Sequence, residues 1–336
     1  MTKSFTHRER LELTLHGEKT DRVPVSLWRH FPVDDQTPGG LAYATAHFQQ
    51  MYDFDFIKVT PASSFCLKDW GVEDRWTGNT EGTREYQTRV IHHPDDWEKL
   101  PILDPKHGAL ADQITCLYML FSEFDAETPV VQTIFNPLAQ AKNLAGQETL
   151  LAHMRQYPEQ VQTGLRRITD STLLFLESVV RSGVAGIFFA VQHAQYHILS
   201  EAEYNTFGRP YDLEILDAAR SLWLNILHMH GKNVMFDLLV DYPVPVINWH
   251  DRTSGPSLAQ AQKRFLGTVC GGLRQWETLV TGNPLEVNDE ALEAIQSTQN
   301  QHFILGTGCV VPVLAPHANI WAARQSVVPS IEVDEE

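Results

Sequence analysis

Cysteine is scarce in this chain of 336 residues: Cys66, Cys116, Cys270 and Cys309, far apart and with no CxxC pair. That excludes a disulfide framework and leaves reduced thiols, as in the cytoplasm, the default. Long apolar runs are lacking, so nothing in the sequence is built to span a bilayer. The opening residues, MTKSFTHRER, are polar and lack the apolar segment of a secretion signal. Basic residues are outnumbered, 26 Lys and Arg against 42 Asp and Glu, for a net charge of -16. Such a surface repels phosphate backbones and anionic lipid, which argues against nucleic-acid and membrane-surface roles. There is no low-complexity linker and no short internal repeat, and no GxGxxG follows the first predicted strand.

What is present is a rhythm. Hydrophobic residues make up 43% of the chain, enough for a sizeable core. Short β-rich runs alternate with longer amphipathic stretches. Eight runs read as strands: Val23–Trp28, Asp55–Thr60, Pro129–Phe135, Gly186–Gln192, Asn225–His230, Pro245–His250, Thr268–Gly271 and His302–Gly308. Helical periodicity fills the intervals, over Glu159–Ser182, Ser200–Ala219, Ser257–Phe265 and Asp289–Thr298. Ser200 with Glu203 has the spacing of a capping box. Eight strands alternating with helices predict a single α/β domain over residues 1–336, a (β/α)8 TIM barrel. Residues 61–128, between strands two and three, are too many for one ordinary crossover. They read as an insertion over the barrel mouth, its Trp70, Trp76 and Trp97 serving packing.

In such a barrel the chemistry lies at the carboxyl ends of the strands. Those ends are rich in His, Asn, Gln, Arg and Cys here. His228 and His230 flank Met229, and alternation along a strand turns both to one face, about 7 Å apart at Cα. Cys309 follows the last strand and reaches the same mouth. Two imidazoles and a thiolate suit a tetrahedral zinc ion with one position open. Spacing alone is served as well, and more commonly, by two hydrogen-bonded pocket histidines and an inert thiol. Arg29 has the fork geometry to hold a carboxylate or phosphate, or to pair with Asp34 or Asp35. His193 and His250 are candidate acid–base groups or plain pocket lining. Gln192 and Asn248 are candidate substrate contacts; Asn136 either orients substrate or caps the following helix. Ser63 and Ser64 have no adjacent base and are set aside as nucleophiles.

These residues resemble the uroporphyrinogen decarboxylase family, in the broad sense that includes corrinoid-linked methyltransferases. Similar segments are the opening from Arg8 to the DRVPV run ending at Val25, Leu199-Ser200-Glu201 with Phe207, Pro210 and Tyr211, and Ile304-Leu305-Gly306 leading to Gly308-Cys309 and Pro312. The resemblance spans about Arg8 to Val328 and implies a (β/α)8 barrel, a cytoplasmic enzyme and, for many members, a homodimer. True decarboxylases carry two arginines in the first loop; here only Arg29 is kept. Their aspartate, tyrosine, serine and histidine positions fall near Ala62, Asn143, Gln192 and Thr307. The methyltransferase branch carries HxCG and GCG, which hold zinc. Here they read His228-Met229-His230-Gly231 and Gly308-Cys309-Val310.

The resemblance therefore implies a zinc-dependent methyl- or alkyltransferase with His228, His230 and Cys309 as ligands. Arg29 would hold an acidic tail of a thiol acceptor, and the methylcorrinoid donor would be supplied by a partner protein. Two imidazoles and one thiolate make a stronger Lewis acid than one imidazole and two thiolates, and a less nucleophilic bound sulfur. Its competitors are a metal-free decarboxylase of uroporphyrinogen or a related carboxylated substrate, a non-catalytic tetrapyrrole or corrinoid binder, and zinc-assisted hydrolysis. The last lacks a clear carboxylate base.

Overall fold

A computed structural model describes residues 4–328. The ends of the expected 1–336 domain lie outside the described residues. Seven parallel strands form one sheet in the order β1 (Ile57–Val59), β4 (Val130–Phe135), β5 (Gly186–Val191), β6 (Ile226–Met229), β7 (Val246–Trp249), β8 (Thr268–Leu273) and β9 (Phe303–Thr307). β2 (Asp74–Arg75) and β3 (Glu85–Tyr86) pair separately as an antiparallel hairpin. All residues of the seven strands are buried, as expected of parallel strands covered on both faces.

The first expected strand, Val23–Trp28, is an extended segment carrying one bridge, Val25 to Leu305. Pro24 lacks an N–H, which limits the ladder it can join. The segment still lies between the sheet edges. Ser26 N donates to Leu305 O at 3.0 Å and Leu305 N to Pro24 O at 2.9 Å, while Asp55 N donates to Val25 O at 2.9 Å. The curl of the sheet surrounds an apolar layer that includes Trp28, Phe56, Val131, Phe188, Ile226, Val246, Cys270 and Ile304. Two residues on, the same face presents Lys58, Thr133, Ala190, His228 and Asn248. One apolar layer thus forms the floor beneath a polar one.

Helix Pro158–Ser182 agrees with its expected span. The expected helix Ser200–Ala219 is two, Glu201–Phe207 and Arg209–Ala218. Its Ser200–Glu203 capping box is present. The chain turns at Gly208, and Pro210 cannot supply the N–H a continuous helix would need. The Ser257 helix stops at Ala261. Between β1 and β4, helix Gly108–Glu123 packs on helix Pro38–Tyr52. Trp97 is fully buried and donates to His153 Nδ1 at 3.1 Å. No helix among the described residues is long and apolar enough to cross a membrane.

At the amino ends of the strands, helix His7–Leu15 seats Leu11 in the inner apolar layer. There the DRVPV segment forms an ionic clamp. The fully buried Asp55 carboxylate accepts from Arg10 and Arg22, each at 2.6 Å, and from the backbone N of Val25 at 2.7 Å. His7 bridges Asp53 and Asp55 at 3.0 and 3.1 Å. Burial alone would raise the Asp55 carboxyl, but His7, Arg22 and Arg10 outweigh it and hold it well below the ordinary value. The hydrogen bond from His7 lowers Asp53 to about 2. Burial works against charge on His7, yet the two aspartates raise it to about 9.

The carboxylates therefore stabilise the fold above their unfolded values and lose that contribution as pH falls through the folded ones; His7 loses its own as pH rises through about 9. Asp55→Asn leaves two buried guanidinium groups short of an anion. In urea denaturation at pH 7 it should cost ~3–5 kcal/mol, the scale of a broken buried pair. The gap from wild type should narrow in strong acid. An unchanged midpoint would show the clamp to be energetically idle.

Candidate metal centre

The strand ends open into a cavity of about 490 Å³. Its wall includes Lys58, Arg84, Tyr86, Lys142, Gln192, His193, His228, His230 and Cys309, with Trp28, Phe135 and Phe188 as apolar surface. His228, His230, His250 and Cys309 each turn a donor atom toward a common point, all within 4.8 Å of one another. His228 Nε2 lies 3.4 Å from His230 Nδ1, and Cys309 Sγ lies 3.7 Å from the same atom. Zinc bonds of about 2.0–2.3 Å place neighbouring tetrahedral donors roughly 3.3–3.8 Å apart, so the spacing fits. The buried Nε2 of His250 has no hydrogen-bond partner. A histidine with an unpartnered imidazole nitrogen, grouped with two others and a thiol, is chemically suited to a borderline-soft cation.

Local sequence explains the convergence. His228 sits in β6 beside Asn248 of β7, its direct register partner. Gly308 lets the last loop approach closely: a Cβ there would stand 2.7 Å from the Cα of His250. Gly231 has φ +102 and packs against the Gln195 amide, which leaves no room for a side chain.

Asn248 is not on the cavity wall. Its Nδ2 donates to the carbonyls of Cys270 and Thr307, both at 2.9 Å. Its Oδ1 is thereby left to accept from His228 Nδ1 at 2.7 Å. The His228 proton is fixed on Nδ1, and the Nε2 lone pair faces the cluster. The expected substrate contact is thus a support for a ligand. Asn136 is likewise fully buried, capping its helix through Ala139 N at 3.2 Å and donating to Asp212 at 3.0 Å. Arg29 does not reach the cavity either. It packs near Phe31 and approaches the carbonyls of His30 and Val313 at 3.5 Å. Asp35, offered as its partner, pairs with Arg84 at 2.6 Å.

His193 and Gln192 do line the cavity, and both ring nitrogens of His193 are buried without a partner. Cations not anticipated from the sequence also line it: Lys58, Arg84 and Lys142. A lysine between Ile57 and Val59 in the predicted strand DFIKVT was the signal for Lys58, since a buried strand offers little other reason for an ammonium group. Lys142, in the mostly uncharged helix PLAQAKNLA, gave a weaker one. Arg84 lies in the segment where no periodicity could be read.

A family model described as Uroporphyrinogen decarboxylase (URO-D) matches residues 6–328. The chain belongs to this family. It is 21% identical to a methylcobamide:CoM methyltransferase MtbA of Methanosarcina acetivorans, over 94% of this chain and 96% of that protein. It is 20% identical to the MtbA of Methanosarcina mazei over the same shares. A solved structure of a methyltransferase from Methanosarcina mazei superposes with a TM-score of 0.84 at 16% identity, covering 96% of this chain and 98% of that one. That likeness establishes a shared mixed α/β fold.

Burial, with the neighbouring histidines adding to it, holds His228 well below its ordinary value. Burial lowers His193 and His30 to about 3 and His230 to about 4. These rings are neutral in the folded chain at pH 5, where the unfolded chain protonates them. Metal-free protein should therefore lose stability as pH falls below about 6.5, at ~1.4 kcal/mol per pH unit for each extra proton taken up on unfolding. Urea midpoints at pH 7 and 5, with chelator present, test this. Equal midpoints would mean that the rings contribute no more than Asp251 and Asp212, which burial raises to about 7 and about 6 and which act in the opposite direction.

Proposed function

We propose that this chain is a zinc-dependent methyl- or alkyltransferase acting on a thiol acceptor, with the alkyl group delivered by a methylcorrinoid on a partner protein. The observation that carries the reading is the convergence of His228, His230, His250 and Cys309, the first two and Cys309 on the cavity wall. The methylcobamide named for the two MtbA relatives supports the corrinoid donor. His228, His230 and Cys309 would hold the ion, and His250 stands as a fourth donor. Zinc bound there would supply the Lewis acidity that keeps a substrate thiol deprotonated at neutral pH.

The chain's own residues prepare that chemistry. Asn248 holds the His228 tautomer. Trp28, Phe135 and Phe188 keep the wall beside the cluster apolar, which strengthens electrostatic interactions there. Neutral His193 and Gln192 offer hydrogen bonds to substrate without adding charge. His230 in place of a second thiolate leaves the ligand set less negative, so an activated sulfur is better stabilised as the anion and less nucleophilic. The same reading takes residues 1–336 as one closed (β/α)8 barrel, the Val23–Trp28 segment serving as its eighth strand. Residues 61–128 contribute the β2–β3 side of the mouth. It implies a cytoplasmic enzyme. A decarboxylase has less to work with: Glu81 is the one carboxylate on the cavity wall among the described residues, and Arg29 is not on the wall.

Elemental analysis of protein purified without chelator should find about one zinc per chain, and Cys309→Ser should lose most of it. Asn248→Ala should keep the ligands but weaken zinc ~10–100-fold in a chelator competition, as expected when the partner that orients a ligating imidazole is removed. Metal-free wild type after reconstitution would leave the histidines as ordinary pocket groups and return attention to tetrapyrrole binding.

A further inference from the structure

Lys58 brings an amine into the polar layer inside the curled sheet, and the alkyltransferase reading makes no use of it. It stands on β1, lines the cavity and is 8% exposed. Its Nζ donates to Thr60 Oγ1 at 3.1 Å. The Thr60 hydroxyl proton is engaged by the Lys58 carbonyl at 3.2 Å, so Oγ1 can only accept from the amine. No carboxylate pairs with Lys58 among the described residues, whereas Asp35 neutralises Arg84. The titratable groups that interact with its charge are His228, His30 and Cys309. Burial keeps both rings neutral and raises the metal-free Cys309 thiol to about 11, so none of the three is an anion at pH 7. The ring centres of Phe188 and Trp28 lie 4.5 and 5.9 Å from Nζ. Such rings soften the cost of a buried ammonium group but bring no counter-charge. Burial pulls Lys58 down to about 7, so at pH 7 about half of it is the free amine. An ordinary lysine keeps roughly one amine in a few thousand free at that pH. A desolvated amine against apolar walls is the form that adds to a carbonyl carbon.

We propose that Lys58 is a nucleophile for a small aldehyde or ketone, which it holds as an imine beside Phe188 and Trp28. The Nζ lone pair bonds to the carbonyl carbon. The carbonyl oxygen leaves as water with the two amine protons, and a C=N bond remains; no oxidant or reductant is consumed. Thr60 Oγ1, fixed as an acceptor, takes one N–H and leaves the nitrogen lone pair free. The rings select an apolar substituent on the carbonyl carbon, and the cavity of about 490 Å³ admits one. An imine draws electrons from the neighbouring carbon more strongly than a carbonyl does, so bonds at that carbon are weakened. The site goes beyond the alkyltransferase reading and needs no metal.

The test is reductive trapping of full-length protein with propanal and cyanoborohydride at pH 7, followed by peptide mapping. Lys58 should be alkylated ~100-fold or more faster than the exposed Lys106 and Lys263, a margin that follows from the free-amine fractions. Above a pH of about 7 the ratio of Lys58 label to exposed-lysine label should fall ~10-fold per unit, because only the exposed amines are still losing protons. Aldehyde adducts of Cys309 are not fixed by reduction and do not enter the count. Lys58→Arg keeps the charge and should lose the fast site, and urea should abolish the preference in wild type. Chelator-treated protein should trap as well as untreated protein, so a failure of metal to bind would sink the alkyltransferase reading and leave the imine site standing. Lys58 labelled no faster than Lys106, a fastest site at Lys142, or a fast site that survives Lys58→Arg would overturn the proposal.

Discussion

One amide organises the mouth of this sheet. Asn248, on β7, bonds His228 of β6, the carbonyl of Cys270 on β8 and that of Thr307 on β9. Four strands are tied by three hydrogen bonds from a side chain with no solvent exposure. Both amide protons are spent on carbonyls, which can only accept, so the direction of the His228 bond is fixed. Removing the side chain would orphan two carbonyls and a ring nitrogen together, which makes the network costly to break. The remaining donors are aimed by backbone: His230 and His250 just beyond their strands, and Cys309 on a loop that Gly308 lets close.

The two ends of the curled sheet carry different polar devices, with an apolar layer between them. At the amino ends, Arg10, Arg22 and His7 satisfy the buried Asp55 completely, so that cluster is structural. At the carboxyl ends the polar groups are only partly satisfied: His193 and His250 have unpartnered nitrogens, and Lys58 and Lys142 lack anions. Satisfied buried charge holds a fold; unsatisfied buried polarity around a cavity implies something from outside. The DRVPV run that helps identify the family belongs to the first device and carries no chemistry.

Strand alternation made much of this legible from the residues. The strand runs were visible because parallel strands covered on both faces read as unbroken apolar stretches. The i, i+2 spacing put His228 and His230 on one face, and strand order put Cys309 at the same mouth. Arg29 and Asn248 were expected on the cavity wall and are not there, and of the two roles open to Asn136 the structure shows the helix cap. Position at or near a strand end was legible, but the partners each side chain takes there depend on tertiary contacts. Asn136 is drawn to its helix amide and Asp212, Asn248 to three strand neighbours, and Arg29 to an apolar wall. Arg84 comes from the irregular segment before the hairpin's second strand, where neither period 2 nor period 3.6 could place it.

The central claim is that His228, His230 and Cys309 are ligands of one zinc ion. X-ray absorption at the zinc edge of purified holoprotein tests it most directly. The expected spectrum has a single sulfur at about 2.3 Å with nitrogen neighbours at about 2.0–2.1 Å, and a second sulfur on adding a thiol acceptor. A six-coordinate shell of light atoms, or a spectrum unchanged by Cys309→Ser, would contradict it.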